Sequence, residues 1–333
     1  MSKILVTGIK PTGTPHLGNY LGALRPALKL SESLDDCQSY YFIADYHSLT
    51  VLKDAQKFRE NYLDVASTWL ALEPNPQKIT LYRQSSIPEI FELSAILANY
   101  TPKGDLNRAH AYKAMTDKNR EKGNEDLDHG VNAGLFTYPI LMASDILVFD
   151  ADIVPVGADQ AQHVEMCRDI AQRFNHYHGD IIKQPDLHIK KEVGAIPGLD
   201  GRKMSKSYNN TIPLFCPEKK LRKLFNKLKT DSLPPEAPKE TKDSLIFQLF
   251  QHFATDEEIA NEKKSYQEGI SWGQAKANLF EVANRELKGP REKYDYYMKN
   301  PEEVHQLIAK GDQQVREVAS KNMDRIRKAI GRI

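Results

Sequence analysis

The sequence predicts an α/β fold, a Rossmann-like doubly wound parallel sheet followed by a C-terminal helical domain. Three observations predict it. Short apolar runs alternate with segments of helical period through about the first 200 residues, the pattern of parallel strands joined by crossover helices. Glycine follows the first run at Gly8 and the fourth at Gly157, where a strand must turn into a helix. Beyond residue 201 the alternation ends and only helical periodicity remains.

The elements follow in order. Residues 4–7 read as a buried strand stopped by Gly8, with Pro11 and Gly13 in the turn beyond. A helix starts near Leu17 and runs to about Leu30, and Pro26 inside it predicts a kink or early break. Residues 40–44 form the second strand. Asp54 then caps a helix carrying Phe58, Tyr62, Val65, Ala66 and Trp69 at helical spacing. The third strand is 78–82, and Pro88 begins a helix through about Tyr100. Residues 103–130 are charged, contain glycine and carry little apolar content, so an exposed, mobile insertion is expected. An apolar helix at 135–149, interrupted by Pro139, precedes the fourth strand at 153–157. The helix opening near Asp159 buries Val164, Cys167, Ile170, Ala171 and Phe174. Helices at 218–229, 243–254, 256–268, 272–287 and 301–330 complete the chain around a proline-rich stretch at 233–238. This divides the chain into domains of 1–200 and 201–333.

Composition narrows the function. With 333 residues there is room for two cores. Lys+Arg 46 against Asp+Glu 45 leaves +1, so any RNA contact rests on local patches rather than a global basic field. Three cysteines (Cys37, Cys167, Cys216) without Cys-x-x-Cys spacing argue against a disulfide framework or a cysteine zinc site, and no structural metal is expected. The N-terminal apolar run is too brief for a signal peptide, and nothing approaches a membrane span. A cytoplasmic protein without membrane contact is therefore expected.

Two segments carry the chemistry. Pro15-His16-Leu17-Gly18-Asn19-Tyr20 opens the first helix, whose free N–H donors suit phosphate. His16 and Asn19 add side-chain donors, and Gly18 leaves room for a flat purine against the helix. An ordinary turn with a capping histidine has the same letters. Far downstream, Gly201-Arg202-Lys203-Met204-Ser205-Lys206-Ser207 alternates polar residues around one apolar anchor. That pattern suits a loop docking through Met204 while Lys203 and Lys206 offset charge on a pyrophosphate leaving group. Solvated Lys/Ser loops are common, so neither segment decides the matter alone.

Together, His16-Leu17-Gly18-Asn19 and Lys203-Met204-Ser205-Lys206-Ser207 resemble the two signatures of class I aminoacyl-tRNA synthetases. Within that class, residues 134–147 (Gly-Leu-Phe-Thr-Tyr-Pro-Ile-Leu-Met-Ala-Ser-Asp-Ile-Leu) and 154–163 (Val-Pro-Val-Gly-Ala-Asp-Gln-Ala-Gln-His) resemble the bacterial tryptophanyl-tRNA synthetase family. The similarity spans nearly the whole chain and is weakest at 103–130 and 231–300. It implies ATP-dependent activation of L-tryptophan to the adenylate, with Mg²⁺ on the phosphates, and transfer to tRNA(Trp). The substrate's own carboxylate attacks, so no serine, cysteine or base nucleophile is needed, and catalysis reduces to positioning and charge stabilisation.

The resemblance assigns roles residue by residue. His16, Asn19, Lys203, Lys206 and Ser207 would be catalytic. ATP would meet Lys10, Pro11, Thr12, Gly18, Asn19, Gly157, Ala158, Asp159, Ile196 and the run Lys203, Met204, Ser205, Lys206 and Ser207. Tryptophan would meet Asp145, Tyr138, Met142, Gln160 and His47. Physical reasons stand beside these for several residues. Asp145 is a carboxylate in an apolar helix, where burial without a partner costs several kcal/mol; the indole N–H is a fitting donor, and a structural partner is the competing explanation. Met142 and Tyr138 share its helix face, though core packing explains Met142 nearly as well. His47 follows the second strand, where ligands gather, although a lone histidine is more often structural. Residues 201–333 would hold the lysine loop and the anticodon-binding helices, with the last helix packing back on the catalytic domain. The basic residues Lys321, Arg325, Arg327, Lys328 and Arg332 would contact tRNA backbone, and a homodimer is implied. The departures from the family are Lys10 in place of glutamine, Thr12 in place of serine, and Ala158 in place of an acidic residue. The rivals are tyrosyl-tRNA synthetase, another nucleotidyltransferase, and a synthetase-like RNA-binding protein that does not charge tRNA.

Overall fold

In the computed structural model, residues 2–156, 161–189 and 195–332 are described. Five strands, β1 (Lys3–Ile9), β2 (Cys37–Ile43), β3 (Ile79–Arg83), β4 (Ile153–Val156) and β5 (Asp186–Ile189), form one sheet in the order β3-β2-β1-β4-β5. Every pairing is parallel. The strand order reverses between β1 and β4, which puts the ligand crevice of such a sheet at their carboxyl ends.

The helices are α1 (Leu17–Asn19), α2 (Arg25–Ser33), α3 (Asp45–Ser48), α4 (Ala55–Ala71), α5 (Pro88–Leu97), α6 (Lys103–Asn107), α7 (His110–Glu121), α8 (Ala133–Leu147) and α9 (Ala161–His178). They are followed by α10 (Glu218–Asn226), α11 (Leu245–Phe250), α12 (Asp256–Glu268), α13 (Trp272–Lys299) and α14 (Pro301–Ala329). Asp54 caps α4 by accepting the Lys57 N–H, as its position predicts.

Several expectations are corrected. The helix expected from Leu17 to about Leu30 is interrupted just ahead of Pro26 rather than at it. A π-turn at Tyr20–Leu24 joins α1 to α2, and the wider i→i+5 bond from Arg25 to Tyr20 delivers Pro26 into the first turn of α2, where no N–H is required. Pro139 does not interrupt α8; its ring is buried, and Ile140, Ala143, Ser144 and Asp145 are buried beyond it. Residues 103–130 are mostly exposed, as expected, and within them 103–121 form α6 and α7, anchored by buried Leu106 and Ala109 and by bonds between 108–110 and Gln162. α13 continues past 287 through Pro290 to Lys299. The short strand β5 and helix α3 lack a sequence signal long enough to predict them.

The sheet divides the core by the period-two alternation of its strands. Tyr41 and Ile43 face one cluster with Trp69 and Val65, and that cluster runs on into Phe225, Phe250 and Phe280 of the helical half. Tyr40 and Phe42 face the other, with Phe149, Ile146 and Ile170. Each fully buried aliphatic chain contributes about 1.5–3 kcal/mol. α14 touches both clusters, Val304 and Ile308 in the first and Val315, Ala319, Met323 and Ile326 in the second. It therefore wraps the outer edge of β3, the exposed strand edge a sheet must protect.

Candidate active site

Four strand ends deliver residues to one crevice. β1 leads into the turn Lys10–Gly13, β2 into Asp45 and His47, β3 into Gln84, and β4 ends at Val156. α8 supplies Tyr138 and Asp145 from one side.

At one end of the crevice, His16 caps α1. Its Nδ1 accepts the Asn19 N–H at 3.3 Å, and Asn19 Oδ1 accepts the His16 N–H at 3.1 Å, a reciprocal capping box. With Nδ1 accepting, the ring proton sits on Nε2, which is left as a donor. Burial first, and the Lys206 ammonium second, push the His16 pKa down to about 4, so the ring is neutral at pH 7. Asn19 keeps its Nδ2 protons unbonded among the described residues.

The lysine loop lies directly on this cap. Met204 is 4% exposed, and its Sδ accepts the Gly18 N–H at 3.2 Å. A Cβ at Gly18 would meet Met204 Cβ at 3.2 Å, so the space opened by glycine is filled here by methionine rather than left for a purine. Ile196 is buried, and its carbonyl accepts the Met204 N–H at 2.8 Å. Lys206 reaches the β1 turn, donating to Thr12 O at 3.4 Å; burial lowers its pKa, and the Asp64 carboxylate pulls the other way. Pro11 is buried in the same turn, while Lys203 and Ser207 are exposed and Ser205 is half-buried. Ser205 Oγ accepts the Ser207 N–H.

Sequence reasoning missed the residue that shapes this loop. Asn210 is 2% exposed; its Oδ1 accepts Ser205 N–H at 2.8 Å, while Nδ2 donates to Asp200 Oδ1 at 2.7 Å and Lys203 O at 3.2 Å. A lone asparagine after a lysine loop carries no period or pattern that would single it out.

At the other end, Asp145 is fully buried and satisfied. His47 Nε2 bonds its Oδ2 at 2.8 Å, and Gln84 Nε2 donates to Oδ1 at 2.8 Å and Oδ2 at 3.0 Å. Burial raises the Asp145 pKa, and the His47 and Gln84 bonds oppose that. Gln84, also missed, is wholly buried, and its Oε1 accepts the Tyr46 and His47 N–H groups. The Tyr138 ring stands edge-on to His47 at 6.3 Å between centroids, and its hydroxyl bonds His163. Met142 is half-buried against the second core cluster. Lys10, in the turn that Lys206 reaches, places its ammonium over the Tyr138 ring, 5.6 Å from the centroid. Gly157, Ala158, Asp159 and Gln160 lie outside the described residues.

The closing basic cluster is largely engaged within the chain. Arg325 pairs with Asp150 at 2.7 Å, Arg327 with Glu92 at 2.5 Å, and Arg332 also with Glu92. These pairs pin α14 to the sheet half and leave Lys321 and Lys328 exposed. By contrast Lys219, Lys220, Lys223, Lys227 and Lys229, on and beside α10, are all exposed. Among the described residues no cluster of three His, Cys, Asp or Glu could hold a metal ion, and no helix is long and apolar enough to cross a membrane.

Comparison with known proteins agrees with this geometry. A family model described as tRNA synthetases class I (W and Y) matches residues 2–288. The chain is 52% identical over 299 residues to the Tryptophan--tRNA ligase of Xanthomonas campestris, covering 90% of this chain and 69% of that one. It is 50% identical over 297 residues to the Tryptophan--tRNA ligase of Pseudomonas aeruginosa, covering 88% and 66%. The crystal structure of tryptophanyl-tRNA synthetase from Campylobacter jejuni complexed with ADP and tryptophane superposes with a TM-score of 0.87 at 39% identity, covering 98% and 99%. The chain belongs to the class I tRNA synthetases of the tryptophan and tyrosine group.

Proposed function

We infer that the chain activates L-tryptophan with ATP and transfers it to tRNA(Trp). The observation that carries this reading is Asp145, a fully buried carboxylate held by His47 and Gln84, with the Tyr138 ring edge-on to that His47. Its Oδ1, which takes only the Gln84 bond, can accept a further hydrogen bond, which suits the single N–H of an indole and leaves phenylalanine without a donor. Relatives at 48–52% identity carry the tryptophan name, and no observation here favours tyrosine.

The remaining assignments follow from this reading. His16 Nε2–H, Asn19 Nδ2 and Lys206 are the donors placed to meet phosphate, with the exposed Lys203 and Ser207 joining when ligand binds. ATP enters as its Mg²⁺ complex, the ion contributing charge neutralisation on the phosphates. Lys10 lies close enough to Tyr138 to act on the amino-acid side of the site. Gly157, Ala158, Asp159 and Gln160 keep their proposed roles in holding ribose and the substrate amine. Residues 201–333 serve tRNA binding, and the exposed lysines around α10 are better placed for it than the ion-paired arginines of α14. A cytoplasmic homodimer completes the proposal. Pyrophosphate exchange with each amino acid, followed by tRNA charging, tests it. Tryptophan-dependent exchange is expected; exchange supported by tyrosine and not tryptophan would sink the assignment.

A further inference from the structure

We propose that Asp312, on α14, is a positioning residue for amino-acid selectivity: it holds the end of β3 so that Gln84 keeps Asp145 oriented. This rests on the reading of Asp145 as the indole acceptor.

β3 is the edge strand of the sheet, so its outward backbone groups need partners that no strand supplies. α14 packs along this edge with two consecutive residues, one of which is a hydrogen-bond partner. At Gly311 the helix backbone comes so close that a Cβ would lie 1.9 Å from Leu81 O, a contact only glycine permits. At the next position Asp312 Oδ1 accepts the Arg83 N–H at 2.7 Å. Leu81 C=O and Arg83 N–H point the same way from a strand, so the two contacts dock one stretch of edge. Arg83 ends β3, and Gln84 begins the 3₁₀ turn Gln84–Ser86 that follows.

The turn is gripped on its other side as well. Asp45 accepts Ser85 N–H at 3.0 Å and Ser85 Oγ–H at 2.5 Å, and Ser86 Oγ accepts Arg83 Nε–H at 3.0 Å. Gln84 thus stands between a carboxylate from the end of β2 and one from α14, and it touches both His47 N–H and Asp145. A shift of α14 along the edge moves Arg83 N–H, and the amide of Gln84 moves with it. An edge cap without this role would affect stability and leave selectivity alone.

Pyrophosphate exchange on the full-length protein tests this. Asp312→Ala is expected to raise the tryptophan KM on the order of tenfold and leave the ATP KM within about twofold. Relative kcat/KM for tyrosine and phenylalanine should rise alongside. Asp312→Asn retains an acceptor for Arg83 N–H and is expected to restore tryptophan KM to within about threefold of the parent. If Asp312→Ala does not fold, Asp312→Ser, too short to reach the amide, carries the same comparison. Asp145→Asn separates the two ideas. Unchanged tryptophan KM and selectivity in Asp145→Asn would overturn the reading of Asp145 itself. Altered selectivity in Asp145→Asn, with parental values in a folded Asp312 variant, would overturn only the role of Asp312.

Discussion

The two ends of the crevice are built on opposite terms. At the Asp145 end, the carboxylate is wholly buried and takes three hydrogen bonds of 2.8–3.0 Å from His47 and Gln84. At the His16 end, Lys206 has one long bond of 3.4 Å to Thr12 O, while Lys203 and Ser207 stand in solvent. Yet the backbone under those lysines is held firmly, by Met204 on Gly18 and by Asn210 across the loop. Discrimination between similar side chains requires fixed, desolvated groups whose cost is met once, on folding. Handling a phosphate that arrives and leaves requires charges that are carried to the site but not satisfied there.

The sharpest way to break this contrast is at Asp145. Asp145→Ala would leave His47 and Gln84 as buried donors without their acceptor, costing about 1–3 kcal/mol of stability. Under the proposed function, kcat/KM for tryptophan should fall by about 10³ or more while the ATP KM is unchanged. Urea denaturation and pyrophosphate exchange read the two halves; intact rejection of tyrosine and phenylalanine would remove Asp145 from recognition. Lys206→Ala should do the reverse. The expected fall in kcat is about 10²-fold, with a melting temperature within about 1 °C of the parent, since little structure rests on that ammonium. A large loss of stability in this variant would mean that Lys206 is structural.

The same contrast explains what was legible in the sequence. Parallel strands and amphipathic helices announce themselves by period, so β1 to β4 and most helices are readable. The His16 and Lys206 segments are local runs whose chemistry lies in adjacent letters. Gln84 and Asn210 are not readable in this way, because each works by bonds to residues distant in the chain or across a loop. Gln84 reaches Asp145, 61 positions away. Asp312 reaches Arg83 across 229, and its neighbour Gly311 docks against Leu81 O, equally far away in the sequence. Pro139 misled for a related reason: local propensity predicts a break, and surrounding burial overrides it. The arginines of α14 present a basic patch to composition, whereas Asp150 and Glu92, which engage them, lie far away in the sequence.

The smallest expected effect concerns His16, where the open end of the crevice borrows from the closed one. Its imidazole is buried, and burial together with Lys206 lowers its pKa from 6.5 to about 4. The unfolded chain therefore binds a proton in the window between those values that the folded chain does not. Stability must fall as pH falls from about 6.5 toward 4, and above that window His16 neither adds nor removes pH dependence. In the ligand-free protein an NMR titration of the His16 ring should show a midpoint near 4 with the proton on Nε2. Lys206→Ala should move that midpoint upward only in part, because burial is the larger cause and remains. A midpoint at 6.5 would mean that the His16 ring is solvated and that the phosphate end lacks a preorganised neutral donor. The contrast between the two ends would then extend to the cap of α1 itself.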